Sequence, residues 1–162
     1  MKPTDHLLVV DVSSSIVCGV PPRVSLVRWA RTAAGARGRG WEIAIRVVGL
    51  AEGRRLNAVW QGKDYATNVL SFPAHPSTLS HQHLTGFTLK PMGDLVICAP
   101  VLVREARAQG KLLKAHWAHM VVHGVLHLLG YDHAYDAETR RMERRERQIL
   151  RIFGLPNPYA AI

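Results

Sequence analysis

The chain is 162 residues long and 48% apolar, and it carries 21 Lys and Arg against 12 Asp and Glu, for a formal charge of +9 and an isoelectric point near 10.3. That length predicts one domain over residues 1–162 with a substantial core, and the charge favours an anionic partner, nucleic acid ahead of an acidic membrane surface. Two cysteines in no paired motif, Cys18 and Cys98, argue against a disulfide framework, and with no secretory leader or bilayer-length apolar run to read, a cytoplasmic protein without a membrane partner is expected.

In chain order, residues 6–12 are rich in β-branched side chains and predict a first strand. Pro21 and Pro22 mark a helix start. Val24, Val27, Trp29 and Ala30 recur at helical spacing to about Ala34, with Arg23, Arg28 and Arg31 outside. Residues 35–40 are a basic, glycine-rich breaker read as a solvated loop. Residues 41–48 alternate and predict a second strand, with Ile43, Ile45 and Val47 on one face. Residues 50–60 fit a short helix with Leu56, Val59 and Trp60 inward, followed by a turn at 61–64. Residues 67–73 predict a third strand stopped by proline. Residues 74–91 are long for a loop in a compact domain. The histidines there (His75, His81, His83) leave a polar loop and a second metal site both open. Residues 93–99 form a nearly continuous apolar run, the pattern of a buried strand.

The remainder is helical. Pro100 opens a helix to about Gln109. Residues 111–129 are apolar on most sides and predict a central helix. Residues 136–153 form a last helix whose inner side carries Met142, Ile149, Leu150 and Phe153. Its Arg140, Arg141, Arg144, Arg145 and Arg147 alternate with Glu138, Glu143 and Glu146, which reads as a solvated, salt-bridged surface. Gly154, Pro156 and Pro158 are expected to end the folded part. The order predicts an α+β domain: a small mixed β-sheet packed against helices, with a central metal-binding helix.

That helix carries the chemistry. His123 and His127 are four residues apart, which places both imidazoles on one helix face, one turn apart. Gly130 supplies a left-handed corner, and His133 beyond it can bring a third imidazole to the same ion. His119, one turn earlier, is either a fourth ligand or a supporting core histidine, and His116 is a weaker candidate still. The His-x3-His-x2-Gly-x2-His frame resembles the zinc frame of metzincin proteases, but Gly124 stands where those enzymes carry the catalytic Glu. Three neutral ligands with an open fourth position are the catalytic zinc pattern, and water on the ion would be the nucleophile. A doubly positive centre in a basic protein suits a phosphodiester better than a peptide. Imidazoles also accept nickel, copper and iron.

The stretch His-Gly-Val-Leu-His-Leu-Leu-Gly-Tyr-Asp-His at 123–133 is preceded, in order, by Gly62-Lys63-Asp64, Thr67-Asn68-Val69-Leu70-Ser71-Phe72-Pro73, Gly93-Asp94-Leu95-Val96-Ile97-Cys98 and His116-Trp117-Ala118-His119-Met120. Together these resemble the YbeY family of bacterial endoribonucleases and ribosomal RNA maturation factors, over residues 41–133. The resemblance implies a zinc-dependent, single-strand-specific endoribonuclease in 16S ribosomal RNA 3′-end maturation and ribosome quality control, with RNA and ribosome-associated partners. It implies one Zn2+ per chain, held by His123, His127 and His133. Where the family usually carries an arginine before Gly-Lys-Asp, this chain has Gln61. Gln61 and Lys63 are then the candidate substrate contacts, with Arg55 as a further cation. Asp94 and Asp132 each read as an orienter of a bound histidine or as a turn residue. Two rivals stand beside this reading: a ribosome-assembly binding protein with a structural zinc and a fourth protein ligand, and a metalloprotease with a base from elsewhere in the chain.

Overall fold

A computed structural model describes residues 7–75 and 89–160. The elements are β1 (Val9–Ser14), α1 (Arg23–Ala34), β2 (Trp41–Val48), α2 (Leu50–Gln61), β3 (Val69–Pro73), β4 (Lys90–Cys98), α3 (Ala99–Ala108), α4 (Leu113–Leu128) and α5 (Asp136–Ile152), with a 3-10 turn at Gly35–Gly38. The sheet order is β1-β2-β4-β3. The first three strands in that order are parallel and β3 is antiparallel to β4. The expected α+β class with a small mixed sheet is what the chain adopts.

Alternation along the strands sorts side chains onto two faces. Ile43, Ile45 and Val47 of β2 and Leu95 and Ile97 of β4 are buried on one face, with Trp117, Val121, Val125 and Leu126 of α4 packed among them. Val96 and Cys98 of β4 turn to the other face and join Val48, Leu70 and Val101 in a smaller cluster. α4 is buried at 11 of its 16 residues, the state of a helix apolar all round. Gly124 lets α4 press onto the sheet: a Cβ there would fall 2.8 Å from Leu95 Cδ2. A glutamate at this position, the protease arrangement, would have to displace the buried Leu95 side chain.

Three expectations need correcting. In α1, Val24 is 71% exposed and Leu26 takes the inner place. In α2 the expected inner residues Val59 and Trp60 are 69% and 63% exposed, while Gly53 and Asn57 are buried. The cause is close approach: a Cβ at Gly53 would stand 3.1 Å from Cys98 Sγ, and Asn57 Nδ2 donates to Tyr65 O at 2.7 Å. The helix rolls its smallest residue onto the sheet, and Trp60 is left edge-on to Phe72, 5.7 Å between ring centroids. Finally, β4 begins at Lys90 rather than Gly93, because Trp41 pairs with Lys90 and Glu42 with Pro91 before a register shift. Proline is tolerated at such an irregularity. Of the 74–91 stretch, residues 76–88, with His81 and His83, lie outside the described residues; His75 is exposed.

Candidate metal centre

The site is built at the C-terminal end of α4. His123 and His127 project from successive turns with Nε2 atoms 3.1 Å apart. Two lone pairs do not face one another at that distance without a proton or a cation between them. Two nitrogens bound at about 2.0–2.1 Å to one tetrahedral ion stand about 3.3 Å apart, so the spacing fits a shared ligand set. α4 ends at Leu128, and the chain turns at Gly130, whose φ of 92° is open to glycine. Tyr131 N returns to Leu126 O at 3.0 Å.

Beyond that corner, Asp132 Oδ1 accepts from His133 N at 2.7 Å and Thr139 Oγ1 donates to His133 O at 3.3 Å. The His133 ring stands 4.9 Å from that of His127 and 6.2 Å from that of His123. One nitrogen from each of the three lies within 4.8 Å of the other two. Arg37, expected in a solvated loop, donates to Leu129 O at 2.7 Å, a cation on the helix's C-terminal carbonyls. The Arg37 and Arg141 guanidinium carbons sit 6.0 and 5.4 Å from the Tyr131 ring centroid, so the corner that delivers His133 is held from two sides.

Behind the histidines lies Glu146, expected on the solvated, salt-bridged surface of the last helix and found in the core instead. Glu146 of α5 is 0% exposed, and its Oε1 stands 2.6 Å from His123 Nδ1. A carboxylate there makes Nδ1 the protonated nitrogen and leaves Nε2 as the lone-pair donor aimed at His127. The Tyr159 hydroxyl donates to Glu146 Oε2, and His119 Nε2 lies 3.5 Å from the same oxygen and 3.2 Å from Tyr159 Oη. Burial pushes the Glu146 carboxyl up, but the hydrogen bonds from His119, His123 and Tyr159 outweigh it and hold it at about 2. Burial, then Glu146 itself, pushes the Tyr159 phenol up, so it keeps its proton. Burial, with His123 and His133 adding to it, lowers His127, which is therefore neutral and ready to coordinate at neutral pH.

His119, His123 and Glu146 also gather within 4.8 Å of one another. The 2.6 Å His123–Glu146 contact is a hydrogen bond, shorter than about 3.3 Å between two ligands of one tetrahedral ion. This second group orients the first. Beside both lies a cavity of about 440 Å³, lined by His123, His133, Glu143 and Tyr159 among others.

The other predicted residues are dispersed. Asp132 bonds the backbone of His133 rather than a histidine ring. Asp94 is neither turn nor orienter: it lies within β4 on the face opposite Leu95, away from α4, and burial raises its carboxyl. His116 Nε2 donates to Glu105 Oε2 at 2.7 Å, and Asn68 Nδ2 donates to the same carboxylate at 3.3 Å, tying α3, α4 and the start of β3. Gln61 and Lys63 are exposed at the end of α2 and just beyond it, and Arg55 is exposed 3.9 Å from Glu52. None of them is among the groups gathered at the histidines. The tail was expected to be outside the folded part, yet Lys111 Nζ donates to Pro158 O at 2.9 Å, and Tyr159 reaches Glu146. A signal for Glu146 was present: it falls four residues after Met142 and three before Ile149, on the apolar stripe of its helix. No local pattern marks Tyr159 or Arg37.

The fold and site define an α+β protein with a histidine-built candidate metal centre, backed by a buried carboxylate. Residues 25–154 match the family model described as Endoribonuclease YbeY, and the chain belongs to the YbeY family. A relative from Stutzerimonas stutzeri strain A1501, named Endoribonuclease YbeY, is 49% identical over 95% of this chain and 92% of its own. One of the same name from Stenotrophomonas maltophilia strain K279a is 54% identical over 88% of this chain and 86% of its own. A Thermotoga maritima protein solved in solution shares the fold, with a TM-score of 0.54 and 17% identity, covering 94% of this chain and 99% of that one.

Proposed function

We propose that this chain is a single-domain, zinc-dependent endoribonuclease that hydrolyses single-stranded RNA, acting in the cytoplasm with ribosome-associated partners in 16S ribosomal RNA 3′-end maturation and ribosome quality control. The observation that carries the proposal is the convergence of His123, His127 and His133, with His123 oriented by a buried carboxylate. Three neutral nitrogen donors suit Zn2+ in a catalytic rather than a structural set. When bound, the ion supplies Lewis-acid polarisation of a phosphoryl oxygen and an activated water at neutral pH.

The chain's own groups do the rest. Glu146 fixes the His123 tautomer and places a negative charge behind it. Gly130 and the Arg37–Tyr131–Arg141 clamp hold His133 in place. His133 is exposed, so this face is open to a polymer strand. The charge of +9 draws the phosphate backbone, and Lys63, with Gln61 as an uncharged donor, contacts it at the end of α2.

The structural-zinc rival needs a fourth protein ligand, His119 or a loop histidine; His119 is committed to Tyr159 and Glu146, and His81 and His83 lie outside the described residues. The protease rival needs a base from elsewhere in the chain, and Glu146, the carboxylate in contact with the histidines, is buried and bonded to His123 and Tyr159. The test is metal analysis together with cleavage of single-stranded RNA by nuclease-free protein. One zinc per chain and cleavage that His127→Ala abolishes are expected. Metal-replete protein that leaves RNA intact while binding ribosomes would overturn the proposal.

A further inference from the structure

We propose that the C-terminal segment 157–160 is a working part of the metal centre, with Tyr159 as a positioning residue that acts on His123 through Glu146. This rests on the reading that His123, His127 and His133 hold the ion. Glu146 has no access to water, so both of its oxygens need protein donors. Oε1 is taken by His123 Nδ1 at 2.6 Å. Oε2 depends on the Tyr159 hydroxyl and, at 3.5 Å, on His119. The Tyr159 hydroxyl is therefore the closer donor on the side of the carboxylate away from His123.

Tyr159 is delivered to this position by a fastened segment. Lys111 Nζ, from the turn before α4, donates to Pro158 O at 2.9 Å. Asn157 Oδ1 accepts from Tyr159 N at 3.0 Å, and Ala160 N donates to Asn157 O at 3.3 Å. The Tyr159 ring stands edge-on to His119 with centroids 5.4 Å apart. One edge of the residue lines the same cavity as His123 and His133, and the residue is 41% exposed. A half-exposed side chain adds little to the core. Its hydroxyl is spent on the carboxylate that aims a ligand.

Removing that hydroxyl leaves Oε2 short of a donor, frees the carboxylate to turn, and loosens the tautomer and direction of His123. Supporting groups behind a ligand typically change metal affinity by about 10–100-fold. The test measures zinc affinity of the full chain by competition with a chromophoric chelator, and the ligand-field spectrum of its cobalt form. Wild type, Tyr159→Phe, Lys111→Met and Glu146→Gln are compared, with apo-protein melting curves as a check on folding. Tyr159→Phe keeps the ring against His119. It is expected to bind zinc on the order of 10-fold more weakly and to shift the cobalt spectrum, with its apo melting curve close to wild type. Lys111→Met, which touches only the fastening, is expected to move in the same direction by less. Tyr159→Phe with wild-type affinity and spectrum overturns the inference, even where Glu146→Gln loses metal, because the tail is then shown to be dispensable. A wild type that takes up no ion overturns this inference and the proposed function together.

Discussion

On one face of the sheet, Leu95 of β4 meets a glycine of α4 so closely that no side chain fits between them, and the histidines rise from a helix buried on most sides. On the other face, α2 touches Cys98 through Gly53 and turns Val59 and Trp60 to solvent. The first face holds ligand atoms to a geometry. The second presents Gln61 and Lys63 on exposed positions at the end of α2. The contrast separates two demands. Coordination needs side chains locked by packing, whereas contact with a flexible anionic strand works from an open, charged edge.

The largest expected effect breaks the packed face. Gly124→Glu forces a side chain and a charge against Leu95, and we expect a loss of more than about 4 kcal/mol of stability, read as little or no folded protein by circular dichroism. Glu146→Ala is next: it strands His123 Nδ1 and the Tyr159 hydroxyl, at a cost of about 2–3 kcal/mol in chemical denaturation. Glu138→Ala, on the exposed side of the same helix, changes stability by less than about 0.5 kcal/mol.

A smaller effect is a pH dependence of the apo protein. Burial pulls His116 below the ordinary histidine value, against the opposing pull of Glu105. The unfolded chain then takes up the proton first, near pH 6.5. The stability from this group is complete above that pH and is lost as pH falls through the folded value. Denaturation midpoints should drop between pH 7.5 and 5.5, and His116→Gln should flatten the drop. On the open face the stability effects are smallest. Trp60→Ala is expected to cost under about 1 kcal/mol. Gln61→Arg should leave stability unchanged, tighten RNA binding, and steepen its salt dependence by about one phosphate contact.

The division between the faces also decides what could be read before folding. Strands β2 and β4 were legible because alternation and apolar runs follow burial directly. The His123–His127–His133 group was legible because helix pitch and a glycine corner are local geometry. α2 misled because Val59 and Trp60 look like core residues, and only the approach of Gly53 to Cys98, a long-range contact, turns them outward. Glu146 was hidden by its neighbours: six arginines and two other glutamates on α5 gave the helix a solvated character that its one core-facing carboxylate does not share. Tyr159 and Arg37 reach the site from distant positions, Tyr159 26 residues past His133, and spacing rules do not extend so far.

The most direct measurement is the X-ray absorption spectrum of the zinc-loaded chain, wild type against His133→Ala. We expect three imidazoles and one non-protein oxygen at about 2.0 Å in the wild type, and two imidazoles in the variant. Four protein ligands, or a wild-type spectrum that His133→Ala leaves unchanged, would contradict this arrangement.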